Sequence, residues 1–102
     1  MSKHHQLLKL INKHLPEVSS PLPQEIPEVD IFEAVRVRVK FLLDNNMERL
    51  LHMLYRVDVD ESRVREILAM ADPGVIDVAL TEAILARIRE KIRTRERYGK
   101  GG

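Results

Sequence analysis

Asp30-Ile-Phe-Glu-Ala-Val35-Arg-Val-Arg-Val-Lys40-Phe-Leu-Leu-Asp-Asn45-Asn-Met-Glu-Arg-Leu50-Leu-His-Met-Leu-Tyr55-Arg56 is the stretch on which the fold turns. Within it Ile31, Val35, Val39, Leu43, Met47, Leu51 and Tyr55 recur at every fourth position. A helix turns about 100° per residue, so a step of four advances about 40° and the row winds about 240° around the axis. One flat surface cannot cover it. Phe32, Phe41, Leu42, Leu50, Met53 and Leu54 fill neighbouring positions. The segment is therefore expected to be a central helix over 30–56, meeting different partners on different faces or bending at Asn45-Asn46. A strand competes for its first half, where Val35, Val37, Val39 and Phe41 alternate with Arg36, Arg38 and Lys40. Helix is preferred, because helix-forming residues follow and no hairpin turn flanks the alternation.

Working outward, Asp58 and Asp60 sit where this helix should end, and Asp58 with Glu61 has the form of a capping box opening the next. Val64, Ile67, Leu68 and Ala71 give that helix, over 60–72, an apolar stripe. Asp72-Pro73-Gly74 then stops it and supplies a cap and a first-turn proline for a last helix over 74–97. There Ile76, Leu80, Ile84, Ile88 and Ile92 form a second row at spacing four. Two such ridges favour an oblique crossing over a parallel coiled coil, which alternates spacings of three and four.

On the other side, Leu7, Leu8, Leu10, Ile11 and Leu15 mark a short amphipathic helix over 3–15, stopped by Pro16. Four prolines, Pro16, Pro21, Pro23 and Pro27, make 16–29 an extended connector that wraps the bundle or carries the first helix to a neighbouring subunit. It lacks the Pro-x-x-Pro spacing of an SH3-type ligand. Residues 98–102 read as a disordered basic and glycine tail. The expected architecture is thus one all-α domain over 1–102, an irregular bundle of four helices around the second and fourth.

Composition agrees with a folded chain of that size. The 102 residues are 44% apolar and 32% charged, too apolar for disorder and too charged for a membrane protein. Zero cysteines exclude disulfide frameworks, thiolate zinc sites and cysteine nucleophiles. No apolar run approaches the length of a membrane span, and the start lacks a secretory pattern, so a cytoplasmic protein is expected. The net charge of +1 conceals alternating blocks: +3 over 1–16, −5 over 17–34, +3 over 35–56, −5 over 57–86 and +5 at the end. Such blocks solvate a surface and complement one another within or between subunits.

Motifs for chemistry are absent or fail on spacing. Asp58-Val-Asp60-Glu61-Ser62 starts like a calcium loop, but the required glycine and final glutamate are Arg63 and Ala69. Glu48 and His52 share a helix face without the further Glu-x-x-His partners of a di-iron site, and His4-His5 is at most an adventitious metal binder. No nucleophile motif or glycine-rich phosphate loop occurs, so no catalytic residue, metal or cofactor is expected. The one concentrated charge feature is the basic end of the last helix, where Arg89, Arg93 and Arg97 at spacing four could line an anion or nucleic-acid track. Its sequence pI of about 8.1 is low for a dedicated nucleic-acid domain, and cations at a helix C-terminus also complement its dipole.

Glu48-Arg-Leu-Leu-His-Met-Leu-Tyr-Arg-Val-Asp-Val-Asp-Glu61, followed by Ala86-Arg-Ile-Arg-Glu-Lys-Ile-Arg-Thr-Arg95, resembles small uncharacterised all-helical proteins of bacterial genomes over roughly residues 30–97. The resemblance implies a cytoplasmic bacterial origin and carries no activity or substrate. From the residues themselves, a non-enzymatic interaction or assembly module is expected, a homodimer or a binder of another protein. Phe41, Leu51, Leu54 and Tyr55 are its candidate interface, because a helix apolar over most of its circumference needs more cover than short neighbours give. The alternative is a nucleic-acid-binding accessory protein acting through Arg89, Arg93 and Arg97.

Overall fold

A single asparagine divides the long apolar stretch in two. The structure, a computed structural model, describes Gln6, residues 9–11, Lys13 and residues 28–99, with side chains over 30–95 of that last span. Helix α1 (Glu28–Asn45) stops before Asn46, whose backbone at φ −157° and ψ 78° leaves the helical region, and α2 (Met47–Val57) starts after it. The Asn46 side chain accepts the Arg49 amide at 3.1 Å, satisfying one of the orphan donors of a helix start. Asn45 turns its amide nitrogen back to the Phe41 carbonyl at 2.9 Å. The one helix expected over 30–56 is therefore two, because short amide side chains at both positions compete for backbone groups that a continuous helix would use.

The next boundary corrects the capping box. Asp58 closes α2 in the left-handed conformation, φ 70° and ψ 44°, with its amide donating to the carbonyls of Leu54 and Tyr55 at 3.0 and 3.1 Å. Asp60 is the cap of α3 (Glu61–Leu68), accepting the Ser62 amide at 3.1 Å. Aspartate tolerates the left-handed region better than most residues, so it serves as a helix stop where the sequence suggested a start. Helix α3 ends four residues before 72, since Met70 and Ala71 are exposed and bury nothing that would hold another turn. Asp72 then acts as the sequence implies: its carboxylate accepts the Gly74 amide at 2.9 Å and its carbonyl the amides of Val75 and Ile76, opening α4 (Pro73–Gly99).

Helix α4 is the axis of the bundle. Its 27 residues span about 40 Å at 1.5 Å each, close to the longest dimension of a 44 × 28 × 20 Å molecule. It packs against α1, α2 and α3, most extensively against α1. Leu80, Ile84, Ile88 and Ile92 of its row are buried, facing Ile31, Val35, Val39 and Leu42 of α1, Leu50, Met53, Leu54 and Val57 of α2, and Val64 and Ile67 of α3 in one core. No strand occurs among the described residues. The described residues of the first segment are helical, and Leu10 and Ile11 join the same core, so this part packs on its own chain. The connector over 16–27 and residues 100–102 lie outside the described residues; Glu28 and Val29, assigned to the connector, and positions 98 and 99, assigned to the tail, are helical.

One buried polar cluster ties α1 to α4. Arg36 meets Asp77 at 2.8 Å, where the Asp77 side chain is almost wholly covered, and also pairs with Glu33 one turn earlier. These two carboxylates, Glu33 first, raise the Arg36 guanidinium above its ordinary value, while the hydrogen bond from Arg36 lowers the Glu33 carboxyl. Buried Thr81 donates to the Asp77 carbonyl at 2.7 Å, which leaves neither polar residue of this face unsatisfied.

Candidate interaction surface

The row that decided the fold also makes the surface. Ile31, Val35 and Val39 are fully buried, Leu43 is half-buried, and Met47, Leu51 and Tyr55 are 41%, 43% and 88% exposed. A winding of about 40° per step carries the row out of the core as it passes from α1 to α2. On α2 burial shifts instead to Leu50, Met53, Leu54 and Val57. Met47, Leu51 and Tyr55 thus form a continuous apolar stripe in solvent along the whole of α2.

Of the expected interface residues, the structure keeps three exposed and moves one inside. Phe41 is half exposed on α1, beside exposed Val37 one turn before it, and the Arg38 guanidinium lies 5.0 Å from its ring centre. Leu51 and Tyr55 stand together on α2. Leu54 is only 2% exposed and belongs to the core, a correction that follows from its position about 60° to the core side of Leu51. Met47 was missed as a site residue, although it belonged to the same spacing-four row.

Two grooves with different charge flank the stripe. On the core side lies a groove of about 470 Å³ between the C-terminal half of α2 and the start of α3. Leu51, Leu54, Tyr55, Val59 and Val64 make it apolar, and Asp58, Asp60 and Glu61 give it an acidic rim. Arg87 of α4 holds this rim in place, donating to the Asp58 carbonyl at 3.0 Å and its carboxylate at 3.1 Å. On the opposite side a shallow depression is lined by Asn46, Glu48, Arg49, His52 and Arg56. A third depression, between α3 and α4, mixes Arg63 and Arg87 with Glu82 and Glu90.

The basic end of α4 is less focused than its sequence. Arg89 is partly buried and engaged with a neighbour, Arg93 is exposed, and the Arg97 side chain lies outside the described residues. Lys91 between them is partly buried. Burial lowers its pKa, with Arg87 and Lys13 adding repulsion against the attraction of Asp58. Among the described residues no three His, Cys, Asp or Glu side chains gather as a metal site, and no helix is long and apolar enough to cross a membrane. His52 is exposed on α2, while His4, His5 and His14 lie outside the described residues. Compared with protein-family models, curated proteins and solved structures, the chain has no match.

Proposed function

We propose that this chain is a non-enzymatic helical assembly module that pairs with a second copy of itself in the cytoplasm. The observation that carries this reading is the Met47, Leu51 and Tyr55 stripe, which the fold leaves in solvent next to an apolar groove. Contiguous exposed apolar surface on a small domain marks a contact site. Phe41 and Val37 extend the exposed apolar surface onto α1. The first helix lends the reading no support, since Leu10 and Ile11 are covered by their own chain.

The test is solution mass by light scattering behind a sizing column, from low micromolar to about 100 µM, at low and physiological salt. A dimer that persists at physiological salt and is lost in Leu51→Glu supports an apolar interface. A monomer throughout removes the reading. It would leave exposed Arg93 and Arg95 as the surface to test with labelled nucleic acid.

A further inference from the structure

We infer that the end of α4 is the arm by which two copies hold each other: residues 93–99 of each lie against the acidic-rimmed groove of the other, with Arg95 over Tyr55 and in reach of Asp60 and Glu61. This rests on the self-assembly reading and names the segment that fills the groove. Three observations select it.

The first is that α4 outlasts the bundle. Ile92 is the last core residue of its row, and Arg93, Thr94 and Arg95, set about 100° apart around the axis, are all exposed. No side of this turn is buried, yet the helix continues to Gly99. Arg95 stands about 60° from Ile92, on the side of α4 that faces the bundle. A second copy seated there continues the packing that stops at Ile92. Among the described residues neither Arg93 nor Arg95 has an ion-pair partner.

The second is the chemistry of the groove. Leu51, Tyr55 and Val64 give it apolar walls, and Tyr55 offers a ring that is 88% exposed. On its rim Asp58 is already bound by Arg87, but the Asp60 carboxylate accepts only the Ser62 amide. Glu61 has an exposed contact to Arg65 at 3.8 Å, a pair of the kind that contributes little. An arginine suits such a place: its stem covers apolar surface, and its guanidinium stacks on a tyrosine ring while pairing with a carboxylate.

The third is distance. The bonds from Arg87 to Asp58 set the level of the groove along α4. Arg95 lies about 12 Å further along that axis and position 99 about 18 Å further. A helix that runs on to Gly99 carries its arginines away from its own groove, so the arm that fills a groove belongs to another copy. Each copy has one arm and one groove, and a two-fold axis satisfies both at once and closes the pair.

The chain has no cysteine, so introduced cysteines report the contact directly. Arg95→Cys and Tyr55→Cys alter exposed positions and leave the core intact. Mixed in equal amounts under mild oxidation, the two variants form chiefly the mixed disulfide, and each alone cross-links little. A dimer by mass that links chiefly like variants, or links neither, overturns the arm contact and leaves self-assembly standing. A monomer by mass removes the reading on which the inference rests, and assemblies that grow past the dimer with concentration overturn the two-fold closure. As a second measurement, Arg95→Glu weakens dimerisation about tenfold, and Arg95→Glu with Glu61→Arg brings it back to within about threefold of the parent. A double variant no tighter than the single one contradicts the pairing of arm and rim.

Discussion

Truncations along a single spacing-four row should cost progressively less, and the gradient tests the winding that underlies both core and surface. Val39 is fully buried on α1, and Val39→Ala removes two carbons worth about 0.8 kcal/mol each in transfer. A void of roughly 40 Å³, at about 24 cal/mol per Å³, adds about 1 kcal/mol, for a total near 2.5 kcal/mol. Leu51 is 43% exposed, so Leu51→Ala loses three carbons that were little more than half covered and leaves no cavity, about 1 kcal/mol after the better helix propensity of alanine. Tyr55→Ala should cost less than about 0.3 kcal/mol, the scale of a surface change. Urea melts followed by far-ultraviolet circular dichroism, at a concentration below pairing, turn these into midpoint shifts of about 2.5, 1 and less than 0.3 M for a slope near 1 kcal/mol per M. A Tyr55→Ala shift as large as that of Val39→Ala refutes the winding. The proposed pairing adds a second expectation: at high concentration the order changes, because Leu51→Ala and Tyr55→Ala would then also lose the stabilisation that self-assembly gives by mass action.

Three further outcomes follow from the polar and backbone contacts. Asp77→Leu strips Arg36 of its covered partner and lowers the urea midpoint by roughly 2 M, whereas Arg36→Leu with Asp77→Leu recovers most of the loss; equal losses in the two variants refute a buried pair. Asp58→Ala and Asp58→Gly both lose the carboxylate contact to Arg87 and keep its bond to the Asp58 carbonyl, so their difference isolates the backbone at φ 70°, and the glycine variant should be about 1 kcal/mol more stable by the same melts. Arg36 holds the Glu33 carboxyl below its ordinary 4.5, so the stabilisation is complete above that value and lost as pH falls through the depressed folded value. Glu33→Gln should therefore flatten the acid limb of stability against pH, and parallel curves for parent and variant between about pH 5 and pH 2 count against the linkage.

Helix class, the Asp-Pro-Gly junction and the core row of α4 were legible because each rests on local signals: periodicity, a cap and a proline. The boundary near Asp58 was legible too, but the role of Asp58 was not, since aspartate at a helix end serves equally as the stop of one helix and the start of the next. Arg87, twenty-nine positions along, binds both the carbonyl and the carboxylate of Asp58 in that conformation, a contact that no local pattern announces. Asp77 and Thr81 show the same limit. Their residue types suggest surface, yet both are buried, because Arg36 reaches Asp77 from another helix and Thr81 bonds back to its own turn. Leu54 failed as an interface residue for a related reason. Periodicity gives an angle about the helix's own axis and says nothing of which neighbour occupies that side.

The two rows at spacing four bear on why the surface is apolar at all. The row of α4 is buried from Leu80 to Ile92, with Ile76 half-buried, and the other three helices all pack against that axis. The row of α1 and α2 has no such cover. At about 40° per step, Tyr55 would lie roughly 160° round from Val39 on an unbroken helix, nearly opposite the core. The break at Asn46 keeps Leu50, Met53, Leu54 and Val57 on the inside without bringing Met47, Leu51 or Tyr55 with them. Packing within the chain therefore sets the apolar character of Ile31, Val35 and Val39 but not of the last three members of the row. Polar residues at those three positions would satisfy the helix equally well. Large apolar side chains there match the needs of a second surface.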